Sequence, residues 1–168
     1  MHDNLIIRKA APEDLPRIMD IYAFAREFMA AHGNPSQWAA NNWPPRELII
    51  KDIAAEKSFV CCLDDKILGV FFFDFGKEIE PTYHTIEDGS WINEEPYGVV
   101  HRIASDGTVK GVGKHCISWA FSQCGHLRID THPDNIVMQN LLAGLGFEKR
   151  GIIHVPQDDA PRYAYELI

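Results

Sequence analysis

The sequence has no long apolar run. The longest candidate, Ile67 to Phe73, is strand length, far short of the roughly 20 residues a membrane-spanning helix requires. The opening residues, MHDNLIIRKA, also lack the apolar segment of a secretory signal. A cytoplasmic location without a membrane partner is therefore expected. Cysteine is scarce. Cys61, Cys62, Cys116 and Cys124 form no C-x-x-C pair, which argues against a disulfide framework or a zinc site and suits reduced core thiols. The eight histidines stand without ligand spacing, so no metal is expected. Excess positive charge is missing too: 16 Lys and Arg face 24 Asp and Glu, a net charge of −8. Such a field repels phosphate backbones, and nucleic acid is not an expected partner. Repeats, low-complexity tracts and linkers are absent. A chain of 168 residues can bury one sizeable core but not two, so one domain spanning 1–168 is expected.

What is present reads as alternating strands and helices. Leu5 to Arg8 is a short strand. Pro12 suits a first helical turn, and Leu15, Ile18, Met19, Tyr22, Ala25 and Met29 follow a helical stripe that Gly33 can end. A second helical segment begins at Pro44, with Ile49 and Ile53 four apart. Phe59 to Leu63 and Ile67 to Phe75 are β-rich runs joined by Asp64-Asp65-Lys66, a hairpin signal. The stretch from Gly76 to Glu95 has weak periodicity and many acids, and reads as a long excursion beside a site. Tyr97 to Ala104 is a strand. Val112, Cys116, Ile117, Ala120 and Phe121 make a helix face. Leu127 to Asp130 is a strand, and Pro133-Asp134-Asn135 opens a helix that Gly146 can close. Two strands follow, near 151–155 and 163–168. The order β-α-α-β-β-β-α-β-α-β-β implies an α/β (α+β) fold. Its central sheet is mixed, carries helices on both faces, and has parallel neighbours at each strand–helix–strand passage.

The segment Ala104-Ser-Asp-Gly-Thr-Val-Lys-Gly-Val-Gly-Lys114 runs from a strand into a glycine turn and then a helix. A helix leaves its first N–H groups unpaired, and its dipole favours an anion there. Glycine removes the Cβ that would keep a phosphate away, and Lys110 and Lys114 add positive charge. The P-loop pattern fails because residue 112 is Val and His115 follows Lys114. The dinucleotide fingerprint fails because Cys116 stands where its third glycine belongs.

A third pattern fits. Thr108 to Lys114 resembles the [QR]-x-x-G-x-[GA] signature of the GNAT superfamily of acyl-CoA-dependent N-acyltransferases. Gly111 and Gly113 match, while Thr108 replaces the leading Gln or Arg. Ile7 to Ile18 (I-R-K-A-x-P-E-D-L-P-R-I) resembles that family's first strand and helix. Asn135, Leu141, Gly146 and Phe147 match its N-x-x-A-x-x-L-Y-x-x-x-G-F element. The resemblance spans essentially the whole chain. It implies a GNAT-like fold, acetyl-CoA as co-substrate, and backbone N–H groups of Lys110, Gly111, Val112, Gly113 and Lys114 around the coenzyme A pyrophosphate. It implies that Ile103, Ala104 and Ser105 pair with the pantetheine arm, with Asn135 close by.

The implied reaction is direct acyl transfer to an amine, which requires a base, an oxyanion donor and a proton for the thiolate. The resemblance places an acidic Tyr at a position that is Leu142 here. Another group supplies that proton, or water does, or the chain is not catalytic. His101 is the first candidate base, with Glu94, Glu95 and Tyr97 as alternatives. Arg102, on the other strand face, reads as an ion-pair partner, and His132 as a turn residue. Trp38, Tyr83, Asp88, Trp91 and Glu94 are concentrated where an acceptor pocket is expected, and aromatic walls with carboxylates suit a cationic amine. The expected function is an N-acetyltransferase acting on a small-molecule or amino-acid-like primary amine, as a monomer or homodimer. The alternatives are a non-catalytic acyl-CoA-binding sensor or interaction module, and a protein lysine acetyltransferase.

Overall fold

The computed structural model describes residues 4–168. Seven strands make one mixed sheet: β1 (Leu5–Lys9), β2 (Ser58–Leu63), β3 (Lys66–Gly76), β4 (Tyr97–Ser105), β5 (Leu127–Thr131), β6 (Glu148–His154) and β7 (Pro161–Leu167). The helices are α1 (Leu15–Ala31), α2 (Arg46–Ala54), α3 (Val112–Cys124) and α4 (Ile136–Gly144). The sheet order is β1-β2-β3-β4-β5-β7-β6. The element order agrees with the sequence reading, and so does the mixed sheet between two helical layers.

Period-two alternation decides which layer each strand residue meets. On β2, Phe59 and Cys61 join the cluster with Cys116, Ile117 and Ala120 of α3 and Leu142 of α4. Val60 and Cys62 join the opposite cluster, with Ile18, Ile21 and Tyr22 of α1 and Ile49 and Ile53 of α2. A third cluster of Tyr83, Tyr97, Val99, Ile153 and Ala164 lies beneath the 76–95 excursion.

Several boundaries differ from the sequence reading. Residues Pro12–Asp14 form a 3-10 turn, and α1 begins at Leu15. The α2 helix starts at Arg46, two residues after Pro44. Strand β6 begins at Glu148, three residues earlier than expected, because its charged start Glu148-Lys149 pairs with Glu166 and Tyr165 of β7. Its polar outer face hid it from a search for apolar runs. Only β4 and β5 are parallel neighbours. The crossover through α4 carries the chain past β7, which sits between β5 and β6 and runs antiparallel to both. The 76–95 excursion is built more tightly than a loose loop. It contains a 3-10 turn at Pro81–Tyr83 and bridges Glu87 to Ile152 of β6.

Two irregularities open the middle of the sheet. Parallel pairing of β4 with β5 stops after Gly98–Leu127 and Val99–Arg128. Beyond that point the two strands diverge. On its other side β4 carries a bulge. Val70 faces Ala104 and Phe72 faces His101, so Arg102 and Ile103 together oppose Phe71. An extra residue of this kind breaks the ladder locally and redirects the side chains next to it. Arg102 has φ 52, a left-handed backbone that a long side chain adopts only where its surroundings hold it. Here Arg102 Nη2 reaches Asp52 of α2 at 2.9 Å, its guanidinium lies 4.6 Å from the Phe72 ring centre, and its carbonyl accepts from the Tyr22 hydroxyl at 2.7 Å.

Candidate active site

Two cavities lie on either side of the bulge. The first, about 330 Å³, runs from α1 across the end of β4 to the start of α3 and α4. Ile103, Ala104, Ser105, Gly111, Gly113, Lys114 and Asn135 line it, with Phe24 and Phe28 opposite. Gly111 caps α3 with φ 86 and no side-chain hydrogen bond. Among the described residues, the amides of Val112, Gly113 and Lys114 have no protein acceptor. The first amide of this turn with a protein partner is His115, which donates to Gly111 at 2.9 Å. A bare helix start of this kind favours an anion. The turn leading to it is held internally. Asp106 accepts from the Thr108 amide and hydroxyl at 3.0 and 2.7 Å and pairs with Arg17 at 2.6 Å. Burial pushes the Asp106 carboxyl up, but Thr108 and Arg17 together hold it below its ordinary value. Thr108 therefore braces the turn from within.

The second cavity, about 210 Å³, fills the gap between β4 and β5. His101 sits in it between two carboxylates. Its Nε2 is 3.3 Å from Glu80 Oε2, and its Nδ1 is 3.9 Å from Asp130 Oδ2. A carboxylate only accepts, so the contact with Glu80 places a proton on Nε2, while Nδ1 faces Asp130. Burial pushes the Glu80 carboxyl up, yet His101 and Thr82 hold it below its ordinary value. Asp130 takes the Tyr83 hydroxyl at 2.6 Å, and burial first, then Asp130, raises the Tyr83 phenol well above its usual range. Trp38 and Trp43 supply aromatic walls. The two cavities share Met29, Ile103, Asn135 and Met138, so they meet at the bulge.

No family model and no curated protein matches the sequence. Solved structures do. A GNAT-family acetyltransferase from Streptococcus agalactiae is 28% identical, covers 100% of this chain and 97% of its own, and superposes with a TM-score of 0.83. The chain has the fold of the GNAT-family acetyltransferases. Two more distant structures share the fold. A GNAT-family acetyltransferase from Listeria monocytogenes is 18% identical over 96% of this chain and 93% of its own, with a TM-score of 0.70. A Salmonella typhimurium protein, solved with acetyl-CoA as its cofactor, is 15% identical over 98% and 94%, with a TM-score of 0.61.

Within this GNAT fold the residues singled out in the sequence separate into groups. The β4 end, the glycine turn, Lys114 and Asn135 surround the larger cavity. Lys110 is exposed outside it, and Val112 turns inward to the core at 2% exposure. Asn135 caps α4 by accepting from the Met138 amide, and donates to Gln37. His101 and Trp38 line the smaller cavity. Arg102 lines it too, paired with Asp52 as an ion-pair reading expects. Tyr83 stands behind it, touching His101 and Asp130. Tyr97 is buried, with its hydroxyl accepting from the Glu80 amide. Trp91 lines neither cavity. Its indole donates to the Tyr83 carbonyl and its ring stacks on Arg128, which makes it a support for the excursion. Asp88, Glu94 and Glu95 are exposed away from both cavities. His132 is buried, with Nδ1 accepting from the Asp134 amide, as a turn residue does.

Leu142 is fully buried in the α3–α4 core and faces neither cavity. The missing hydroxyl at that position is therefore a packing feature of this chain. Glu80, Asp130 and Thr82 escaped the sequence reading. They stand in E-I-E-P-T and R-I-D-T with no spacing that links them, and only the divergence of β4 from β5 brings them to His101. No group of three or more metal-ligating side chains occurs among the described residues, and no helix there is long and apolar enough to cross a membrane.

Proposed function

We propose that the chain is an N-acetyltransferase that uses acetyl-CoA and a small primary amine. One observation carries the reading. A bare helix start and the His101 site lie in two cavities that join at the β4 bulge, Ile103 being common to both. The free amides of Val112, Gly113 and Lys114 suit a diphosphate, and the exposed edge of β4 at Ile103–Ser105 suits an amide-bearing arm that pairs like a strand. Bound there, acetyl-CoA supplies a thioester carbonyl that a neutral amine can attack, with the thiolate leaving.

The chain's own groups prepare that amine. An incoming ammonium finds two acceptors side by side, the His101 Nδ1 lone pair and Asp130 Oδ2. Nδ1 takes its proton, and Glu80 on Nε2 stabilises the imidazolium that results. The bulge at Arg102–Ile103 interrupts the ladder, and a main-chain N–H left unpaired there would serve an oxyanion. A cavity of about 210 Å³ is below the usual range of about 300–1,000 Å³ for ligand sites, which favours a small acceptor over a folded protein's lysine. Calorimetry with acetyl-CoA, followed by a thiol-release assay across an amine panel, tests this. Saturable binding with amine-dependent thiol release is expected. Absence of binding refutes the reading, and binding without release for any amine supports a sensor in its place.

A further inference from the structure

Charge counting in the smaller cavity points to a feature of the acceptor. Four charged side chains line it besides His101: Glu80, Asp130, Arg102 and Arg162. Both arginines are already neutralised. Arg102 pairs with Asp52 at 2.9 Å. Arg162 pairs with Asp158 at 2.8 Å, and its other contacts are the Ala160 and Pro161 carbonyls. Glu80 and Asp130 have no Lys or Arg partner among the described residues; each meets only His101 and a hydroxyl. The cavity thus presents two carboxylates and one imidazole that fixes a single proton between them.

Resting on the acetyltransferase reading, we infer that the acceptor carries a second positive charge, as a short aliphatic diamine does. When the reacting ammonium gives its proton to His101, the N–H bond breaks and an Nδ1–H bond forms. The imidazolium then balances Glu80, which holds its Nε2. The amine is now neutral, so one imidazolium faces two carboxylates and the partly buried site is left one positive charge short, where an uncompensated charge is costly. A second cation on the same acceptor, held by Asp130 in the cavity that Trp38 and Trp43 also line, keeps the site neutral throughout. A carboxylate on the acceptor would instead meet Asp130 with like charge and find both arginines occupied. Amino acids are therefore disfavoured by the same count.

The test compares putrescine, n-butylamine and alanine by acetyl-CoA-dependent thiol release. The wild-type kcat/KM for putrescine is expected to exceed that for n-butylamine by at least about tenfold, with alanine the poorest. Asp130→Asn, which keeps an acceptor for Tyr83, is expected to bring the putrescine-to-butylamine ratio close to one, mainly through KM for putrescine. Thermal unfolding and acetyl-CoA calorimetry on the variant establish that it is folded and binds cofactor. Equal wild-type use of putrescine and n-butylamine, or preference for alanine, overturns the inference while leaving the acetyltransferase standing. A putrescine preference that survives Asp130→Asn overturns the assignment of Asp130. Failure of wild-type acetyl-CoA binding refutes the underlying reading instead.

Discussion

Two substitutions at Gly111 separate backbone strain from electrostatics at the α3 start. Gly111 has φ 86, and a Cβ placed there meets nothing within 4 Å. Gly111→Ala therefore introduces no clash. Its cost is conformational, about 1–2 kcal/mol for an L-residue in the left-handed region, and is read as a shift of the urea midpoint. The amides of the first turn stay in place. Gly111→Asp carries the same strain and adds a carboxylate beside the anion. Two like charges about 4 Å apart repel by about 1 kcal/mol in water and about 4 kcal/mol at an effective dielectric of 20. Acetyl-CoA should then bind the Asp variant between about fivefold and several hundredfold more weakly than the Ala variant. Both variants are titrated by calorimetry after their stabilities are matched by choice of temperature. The gap should narrow as salt rises, because the site opens to solvent and its charges are screened. If the two variants bind alike, the diphosphate does not sit at this helix start.

His101→Ala should lower turnover about a hundredfold or more with calorimetric acetyl-CoA affinity little changed; unchanged turnover removes His101 as the base. Leu142→Tyr should cost about 1–3 kcal/mol of stability in urea, as overpacking does, without faster thiol release, and a gain in rate would show that this position reaches the cofactor after all. Glu166 accepts from His126, Arg128 and the Ile92 amide at 2.7, 2.8 and 2.8 Å. Burial pushes its carboxyl up, but those donors hold it below its ordinary value. Its contribution to stability is thus complete above the unfolded value of about 4.3 and is lost as pH falls through the lower folded value. Glu166→Gln should remove about 3 kcal/mol at neutral pH and flatten the acid limb of a stability–pH curve; an unchanged curve would refute the role given to this carboxylate.

The glycine turn was legible because chemistry limits what can stand there: a left-handed cap beside a bare helix start selects glycine at 111. The layers were legible because Phe59 to Cys62 alternate between two helical faces. The bulge was not. Arg102 has no glycine to announce its positive φ, and the side chains that hold it, Asp52 and Tyr22, lie on other elements 50 and 80 residues away. The excursion residues misled for a related reason. Trp91 and Glu94 have the chemistry of an acceptor pocket, but Arg128 and Glu166 draw that part of the chain toward β5 and β7 instead. The carboxylates that do reach His101 come from Glu80, just before a proline, and from Asp130 at a strand end. Neither position carries a periodic signal.

Asp52 lines neither cavity, yet its grip on Arg102 helps set the direction in which β4 points its next residues. Through that ion pair the second helix acts as a set-screw on β4. Selection for a new acceptor could turn that screw from the far side of the sheet, retuning the reaction centre while every residue that meets a ligand stays the same.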